Sequence, residues 1–290
     1  HKKIVYNSFL SLIPPSISPI IRNTFNFSNI IEDNSANKKP TLLISCGRKS
    51  VIPSIVLKNY LHTKNNMKVY NIHIQDPKVQ INNFSFIVVP EHDRLEGENI
   101  IKSKGAIHYI TDEEIQGAKA LAISKNVLTV ILGGPNKYYS FSLEELKRLF
   151  HKIELLFLNR VEEIKIISSR RTPESIVSFL RDRYKDNSKV IVDSSLSRKN
   201  YIEALAQAKK IIVTSDSISM LSEAATTGVP IYLAKLKSYK NDHRFDSFLE
   251  LFKKLNIIKD LETNEDSWTY DKLYETKRIA ELLKNKITLS

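Results

Sequence analysis

The chain's 290 residues, 42% hydrophobic and 26% charged, suffice for one large domain or two ordinary ones with a real core, which excludes a disordered protein. Its one cysteine, Cys46, excludes a disulfide scaffold and a cysteine-rich metal site and fits a reducing, cytoplasmic setting. Against 32 acidic residues stand 44 Lys and Arg, and the net charge of +12 suits anionic partners. The excess runs through both halves, mostly as Lys interleaved with Glu and Asp, and reads as solvated helix faces. Nucleic acid is therefore not an expected partner, whereas peripheral contact with a membrane surface is compatible with so basic a chain. No apolar run approaches the ~18–20 residues of a membrane span. A signal peptide is not seen either, because Ser11, Pro14, Pro15, Ser16 and Pro19 interrupt the apolar stretch from Phe9 to Ile21. The start, His1-Lys2-Lys3 without an initiator Met, reads as that of a fragment or a processed chain.

From residue 40 onward, short apolar runs alternate with helix-length amphipathic segments. Thr41–Ser45 reads as a buried strand and Val51–Leu61 as a helix; Val69–Ile74 and Phe86–Val89 are further strands, with a short one expected at Ala106–Tyr109. Asp112–Ser124 is a polar helix or connector, with Thr111 and Glu114 spaced as a capping box. The alternation restarts at the strand Val127–Leu132, followed by a helix over Ser142–Phe157 with Ser142 and Glu145 again at capping-box spacing. A strand at Ile164–Ile167 leads to a helix from Pro173 to Tyr184, with Thr172 as its cap. Then come a strand at Val190–Val192, a helix near Lys199–Gln207, a strand at Lys210–Thr214, a helix from Ser217 to Thr226 and a strand at Pro230–Leu233. Helices around Arg244–Leu255 and Asp271–Lys286 close the chain. Uniformly apolar strands alternating with helices mean parallel sheets covered on both faces. The restart near residue 125 predicts two Rossmann-like domains facing each other across a cleft.

Ligands of such sheets bind beyond the carboxyl ends of the strands, where loops enter helix N-termini. Gly133 and Gly134 allow close backbone approach and offer amides to a phosphate, or simply make a tight turn. Ser168, Ser169, Arg170 and Arg171, ahead of Thr172-Pro173, bring two hydroxyls and two guanidiniums to a helix start, an anion-binding combination. Ser215, Asp216, Ser217 and Ser219 open the next helix, and Glu223 within it can accept both hydroxyls of a ribose or be an ordinary exposed Glu. Glu91, His92 and Asp93 form the best acid/base cluster, since His titrates near neutrality and a carboxylate can orient it; a polar positioning loop is the plainer reading. No second His/Asp spacing supports a metal site, so no metal or other cofactor is expected. His62, His73, His108, His151 and His243 read as surface or packing residues, and Cys46 as a small apolar one.

Taken in order, Cys46-Gly47-Arg48-Lys49-Ser50, His73-Ile74-Gln75-Asp76-Pro77, Val89-Pro90-Glu91-His92-Asp93-Arg94-Leu95, Leu132-Gly133-Gly134-Pro135, Ser168-Ser169-Arg170-Arg171-Thr172-Pro173 and Thr214-Ser215-Asp216-Ser217 through Gly228-Val229-Pro230 resemble the mitochondrial-fission "elongated mitochondria" (Elm-type) family. The resemblance covers about residues 40 to 255. It implies a GT-B-like glycosyltransferase architecture: an acceptor-side domain over 1–124, a nucleotide-binding domain over 125–270, and a C-terminal helix over 271–290 crossing back to the first domain. It also implies a strand and Gly-rich loop that His1–Pro19 does not supply, so the first domain is expected to lack its first βα unit.

On that architecture a nucleotide-sugar is the expected ligand, with phosphates at Gly133, Gly134, Ser169 and Arg170 and the ribose at Glu223. Gly47, Arg48, Gln75 and Asp76 form the acceptor side, where His92 or Asp93 serves as base. The alternative is a non-catalytic adaptor that uses the same fold to bind a protein partner, as plant members are implicated in recruiting a dynamin-related protein. A third reading, a nucleotide-sugar epimerase, fits poorly, because no G-x-G-x-x-G loop or Tyr-x-x-x-Lys pair stands where one is needed.

Overall fold

The computed structural model describes residues 42–65, 68–240, 243–262 and 266–288. The readings of His1–Pro19, and with them the missing first βα unit, lie outside the described residues. The chain divides into two compact units, one of residues up to Ser103 together with those from Ile279, the other of Lys104–Arg278. The second unit thus takes in residues 104–124, ahead of the boundary at 124/125 expected from the alternation.

In the first unit β1 (Leu42–Cys46), β2 (Tyr70–Ile74), β3 (Phe86–Pro90) and β4 (Ile100–Ser103) form a parallel sheet in the order β1-β2-β3-β4. Helix α1 (Val51–Asn65) follows β1, and its Leu57 and Leu61 pack with Val69 against Leu43. Val51 joins Phe84, Ile87 and Val89 in a second cluster. Strand β4 was not legible as a strand, whereas the short strand expected over 106–109 is irregular. The backbone there bonds side chains instead of a ladder: Ala106 N–H donates to Ser222 Oγ at 2.9 Å and His108 N–H to Thr276 Oγ1 at 3.2 Å.

His73 is fully buried in β2, with Nδ1 2.8 Å from Ser45 Oγ and its ring 5.1 Å from that of Phe84. Burial lowers its pKa from 6.5 to about 4, against a smaller opposing pull from Asp76. The unfolded chain therefore takes a proton below pH 6.5 that the folded one refuses down to about 4. Stability should fall across that window by about 3 kcal/mol. Urea unfolding at stepped pH should show this fall flattened in His73→Leu; an unchanged slope would assign it elsewhere.

The second unit carries α2 (Asp112–Ala120), β5 (Val127–Ile131), α3 (Leu143–Phe157), β6 (Glu163–Ile167), α4 (Glu174–Tyr184) and β7 (Val190–Asp193). It continues through α5 (Arg198–Gln207), β8 (Ala208–Thr214), α6 (Ile218–Ala224), β9 (Ile231–Ala234), α7 (His243–Lys254) and β10 (Ile258–Asp260), and α8 (Glu275–Thr288) runs across the division. Its sheet is parallel throughout, in the order β10-β9-β8-β5-β6-β7. Every residue of β5 is buried, and its one polar side chain, Thr129, donates to Ala204 O at 2.8 Å. Phe150, Ile153, Ile176 and Leu180 of α3 and α4 cover one face; Ile202, Leu205 and Leu221 of α5 and α6, with Phe248 and Phe252, cover the other.

The caps are partly as expected. Thr111 and Glu114 form a complete capping box. Ser142 accepts from Glu145 N–H, but the Glu145 carboxylate turns to Ser140 Oγ and to the Lys237 amide instead of closing the box. Pro173 is the N-cap of α4 rather than its first residue, because the Thr172 hydroxyl is spent on the carbonyls of Leu132 and Gly133.

Candidate functional site

The strand order of the second unit reverses between β5 and β8, and such a switch leaves a crevice at the carboxyl ends of the two strands. Both turns there are tightly built. Thr214 Oγ1 accepts the Gly133 N–H at 2.9 Å and donates to Asp216 Oδ1 at 2.7 Å. Asp216 Oδ2 accepts the Gly134 N–H at 3.0 Å and pairs with Arg171 Nη2 at 2.7 Å, and Arg171 Nη1 donates to Gly134 O at 2.9 Å. The Asp216 carboxylate is wholly excluded from solvent. A Cβ on Gly133 would lie 2.0 Å from Asp216 Oδ2, and one on Gly134 2.0 Å from the Arg171 carbonyl oxygen. Glycine is required here for close approach.

This geometry corrects part of the sequence reading. The amides of Gly133 and Gly134 are used within the protein and are not left for a phosphate. Arg171 and Asp216 neutralise each other. Ser215 Oγ accepts from the Leu236 N–H, and Ser169 Oγ donates to Gly133 O at 3.0 Å, so both hydroxyls tie loops together.

In front of these turns lies a cavity of about 550 Å³, lined from the ends of β5, β6 and β7 and the starts of α5 and α6. Of the residues singled out in the sequence, Ser168, Ser169, Arg170, Arg171, Ser217, Ser219 and Glu223 line it. Arg170 is exposed, and among the described residues it makes no hydrogen bond or ion pair. Ser217 caps α6 through Met220 N–H. Glu223 is not an exposed helix Glu: it faces the cavity and accepts a hydrogen bond from Tyr201 Oη at 2.8 Å. Burial pushes its pKa above the usual carboxylate value, with the Tyr201 hydrogen bond working against that rise.

Sequence reasoning missed Tyr201, Asp193, Leu196 and Ser197, which also line the cavity. Asp193 accepts from the Ser195 N–H and from Asn200 Nδ2, and Leu196 sits in the left-handed region at φ 56°. The polar run Asp193-Ser194-Ser195 after an apolar strand was the signal available for that turn. Tyr201 had none, since an aromatic early in an amphipathic helix reads as core.

The remaining singled-out residues belong to the first unit. Glu91–Asp93 is a single 3-10 turn closed by Arg94 at φ 51°. The His92 side chain is only 7% exposed, with Nε2 4.0 Å from Asp93 Oδ1, so the imidazole and carboxylate are neighbours without a tight bond. Gly47 and Gln75 stand side by side at the ends of β1 and β2, at φ 80° and 87°. Arg48 is exposed in the turn Arg48–Ser50, and Asp76 is occupied by the backbone and ammonium of Lys78. Among the described residues no group of three or more His, Cys, Asp and Glu could hold a metal ion, and no helix is long and apolar enough to cross a membrane.

Two parallel α/β sheets, one doubly wound with a cavity at its switch point, define a protein of GT-B-like architecture. The fold is matched over 100% of this chain by a candidate UDP-N-acetylglucosamine 2-epimerase from Listeria monocytogenes, at TM-score 0.54 and 12% identity over 83% of that chain. The chain belongs to the mitochondrial fission ELM1 family, whose model matches residues 1–287. It is 23% identical over 291 residues to the mitochondrial fission protein ELM1 of Arabidopsis thaliana, covering 89% of this chain and 66% of the plant protein. It is 27% identical over 297 residues to the uncharacterized protein RP120 of Rickettsia prowazekii, covering 88% of this chain and 82% of that one.

Proposed function

We propose that the second-unit cavity binds the nucleotide part of a nucleotide-sugar and that the protein transfers the sugar to an acceptor. The observation that carries this reading is one cavity, of a size suited to a small ligand, lined by an uncommitted guanidinium and a half-buried carboxyl group. Arg170 takes the diphosphate and stabilises its negative charge as it departs. Glu223 accepts the ribose hydroxyls, and Ser168, Ser217 and Ser219 supply further hydroxyls on the wall. His92, with Asp93 beside it, is the base for the acceptor. Arg171 has no part in ligand binding, since its charge is committed to Asp216.

Isothermal titration with uridine, guanosine and cytidine nucleotide-sugars tests the reading; absence of binding at millimolar concentration overturns it. The two arginines should then separate. Arg170→Ala should weaken binding by about 1.5–3 kcal/mol, the scale of a hydrogen bond to a charged group, with an unchanged melting curve. Arg171→Ala should chiefly lower the melting temperature, because it strands a buried carboxylate.

A second reading is favoured by the commitment of the Gly133 and Gly134 amides to the protein's own side chains. On it the chain is a non-catalytic adaptor that keeps the fold and recruits a protein of the dynamin-related fission machinery. Absence of nucleotide binding together with capture of such a partner would select it.

A further inference from the structure

We infer that Tyr201 is a positioning residue that makes the cavity selective for ribonucleotides over 2′-deoxyribonucleotides. The inference rests on the proposed nucleotide site and adds the residue that gives it its preference. Tyr201 lies on α5 and Glu223 on α6, and their side chains meet at the wall of the cavity through Tyr201 Oη and Glu223 Oε2, 2.8 Å apart. The hydroxyl makes no other hydrogen bond among the described residues. It fixes one carboxylate oxygen and leaves Oε1 to accept from a ligand.

A carboxylate accepts from two adjacent hydroxyls only when its plane is held, and a Glu side chain with three free torsions does not hold itself. Tyr201 provides that hold at low entropic cost, because its own ring has two torsions and is half-buried. A ligand without its 2′-hydroxyl leaves Oε1, the oxygen that Tyr201 does not hold, short of a donor in a largely desolvated carboxylate, and that loss is what discriminates.

The same contact sets the pH range of binding. The charged and titratable groups that line the cavity with Glu223 are Tyr201 on α5, Asp193 at the end of β7, and Arg170 and Arg171 before α4. Of these, Tyr201 is the one that acts on the Glu223 proton, favouring the ionised form against burial. Removing its hydroxyl therefore moves Glu223 protonation to higher pH, and ribonucleotide affinity declines earlier on acidification.

The test is calorimetric titration of wild type, Tyr201→Phe and Glu223→Gln with UDP, GDP and CDP and with their 2′-deoxy forms, repeated across pH 4.5–8. Wild type should prefer at least one ribonucleoside diphosphate by roughly 10- to 100-fold, the worth of a hydrogen bond to a charged group. Tyr201→Phe should lose most of that preference while the 2′-deoxy affinities stay within about 2- to 3-fold, as expected where only a positioning contact is lost. Its low-pH loss of binding should shift upward. Glu223→Gln should lose the preference as well and lose the pH dependence too. Matched melting curves would place the Tyr201→Phe effect in the site rather than in folding. A wild-type protein that binds none of the six nucleotides overturns the proposed site together with the inference. One that binds ribo- and deoxyribonucleotides equally, or a Tyr201→Phe protein with wild-type preference and pH profile, overturns the inference alone.

Discussion

Asp216→Ala is expected to destabilise the second unit by about 2–4 kcal/mol, the cost of leaving a buried amide and a buried hydroxyl without their acceptor. Both carboxylate oxygens are engaged at once, by Thr214 Oγ1, the Gly134 amide and the Arg171 guanidinium. Alanine leaves a buried amide and a hydroxyl without acceptors and an arginine without its counter-charge. Asp216→Asn keeps the volume but loses the charge, and its cost should be smaller. Urea unfolding of the two variants checks this. A loss under about 1 kcal/mol for Asp216→Ala would mean that the glycine turn is held by something other than this carboxylate.

Gly134→Ala is the second large effect. Its Cβ would fall 2.0 Å from the Arg171 carbonyl oxygen and 2.7 Å from the Arg171 Cβ, and a backbone atom cannot swing aside as a side-chain tip can. The loop that carries Arg170 must move, so stability should drop by about 3 kcal/mol, the upper range for overpacking. Ligand affinity should fall with it. Gly133→Ala meets the Asp216 carboxylate instead, a side chain held in place by three hydrogen bonds, and should also be costly. Gly117, where an added Cβ meets nothing within 4 Å, is the control: Gly117→Ala in α2 should stabilise by up to about 1 kcal/mol. If Gly134→Ala and Gly117→Ala behaved alike, the close approach at the switch point would be wrong.

The alternation of apolar runs with amphipathic segments was enough for the fold, because strands such as β5 are buried along their whole length and show no polar face. Element ends were harder. β4 was overlooked because Ile100-Ile101-Lys102-Ser103 is short, and β10 because Ile258-Lys259-Asp260 is shorter and half polar. In the site, the loops were legible and the assignments within them were not. Nothing in Ser168-Ser169-Arg170-Arg171 says which guanidinium turns to a carboxylate that stands 45 residues further on. The glycine amides look available until Thr214 and Asp216, which come from another strand end, are seen to take them. Tyr201 acquires its role only from Glu223 across 22 residues. Local pattern finds the loops, and long-range hydrogen bonds distribute the chemistry among them.

The nucleotide reading meets its most direct test in a crystal grown with a ribonucleoside diphosphate at millimolar concentration. The nucleotide should lie in the second-unit cavity, with its ribose hydroxyls on Glu223 and its phosphates at Arg170. A cavity still empty at saturating nucleotide, or a nucleotide bound elsewhere on the chain, would contradict it.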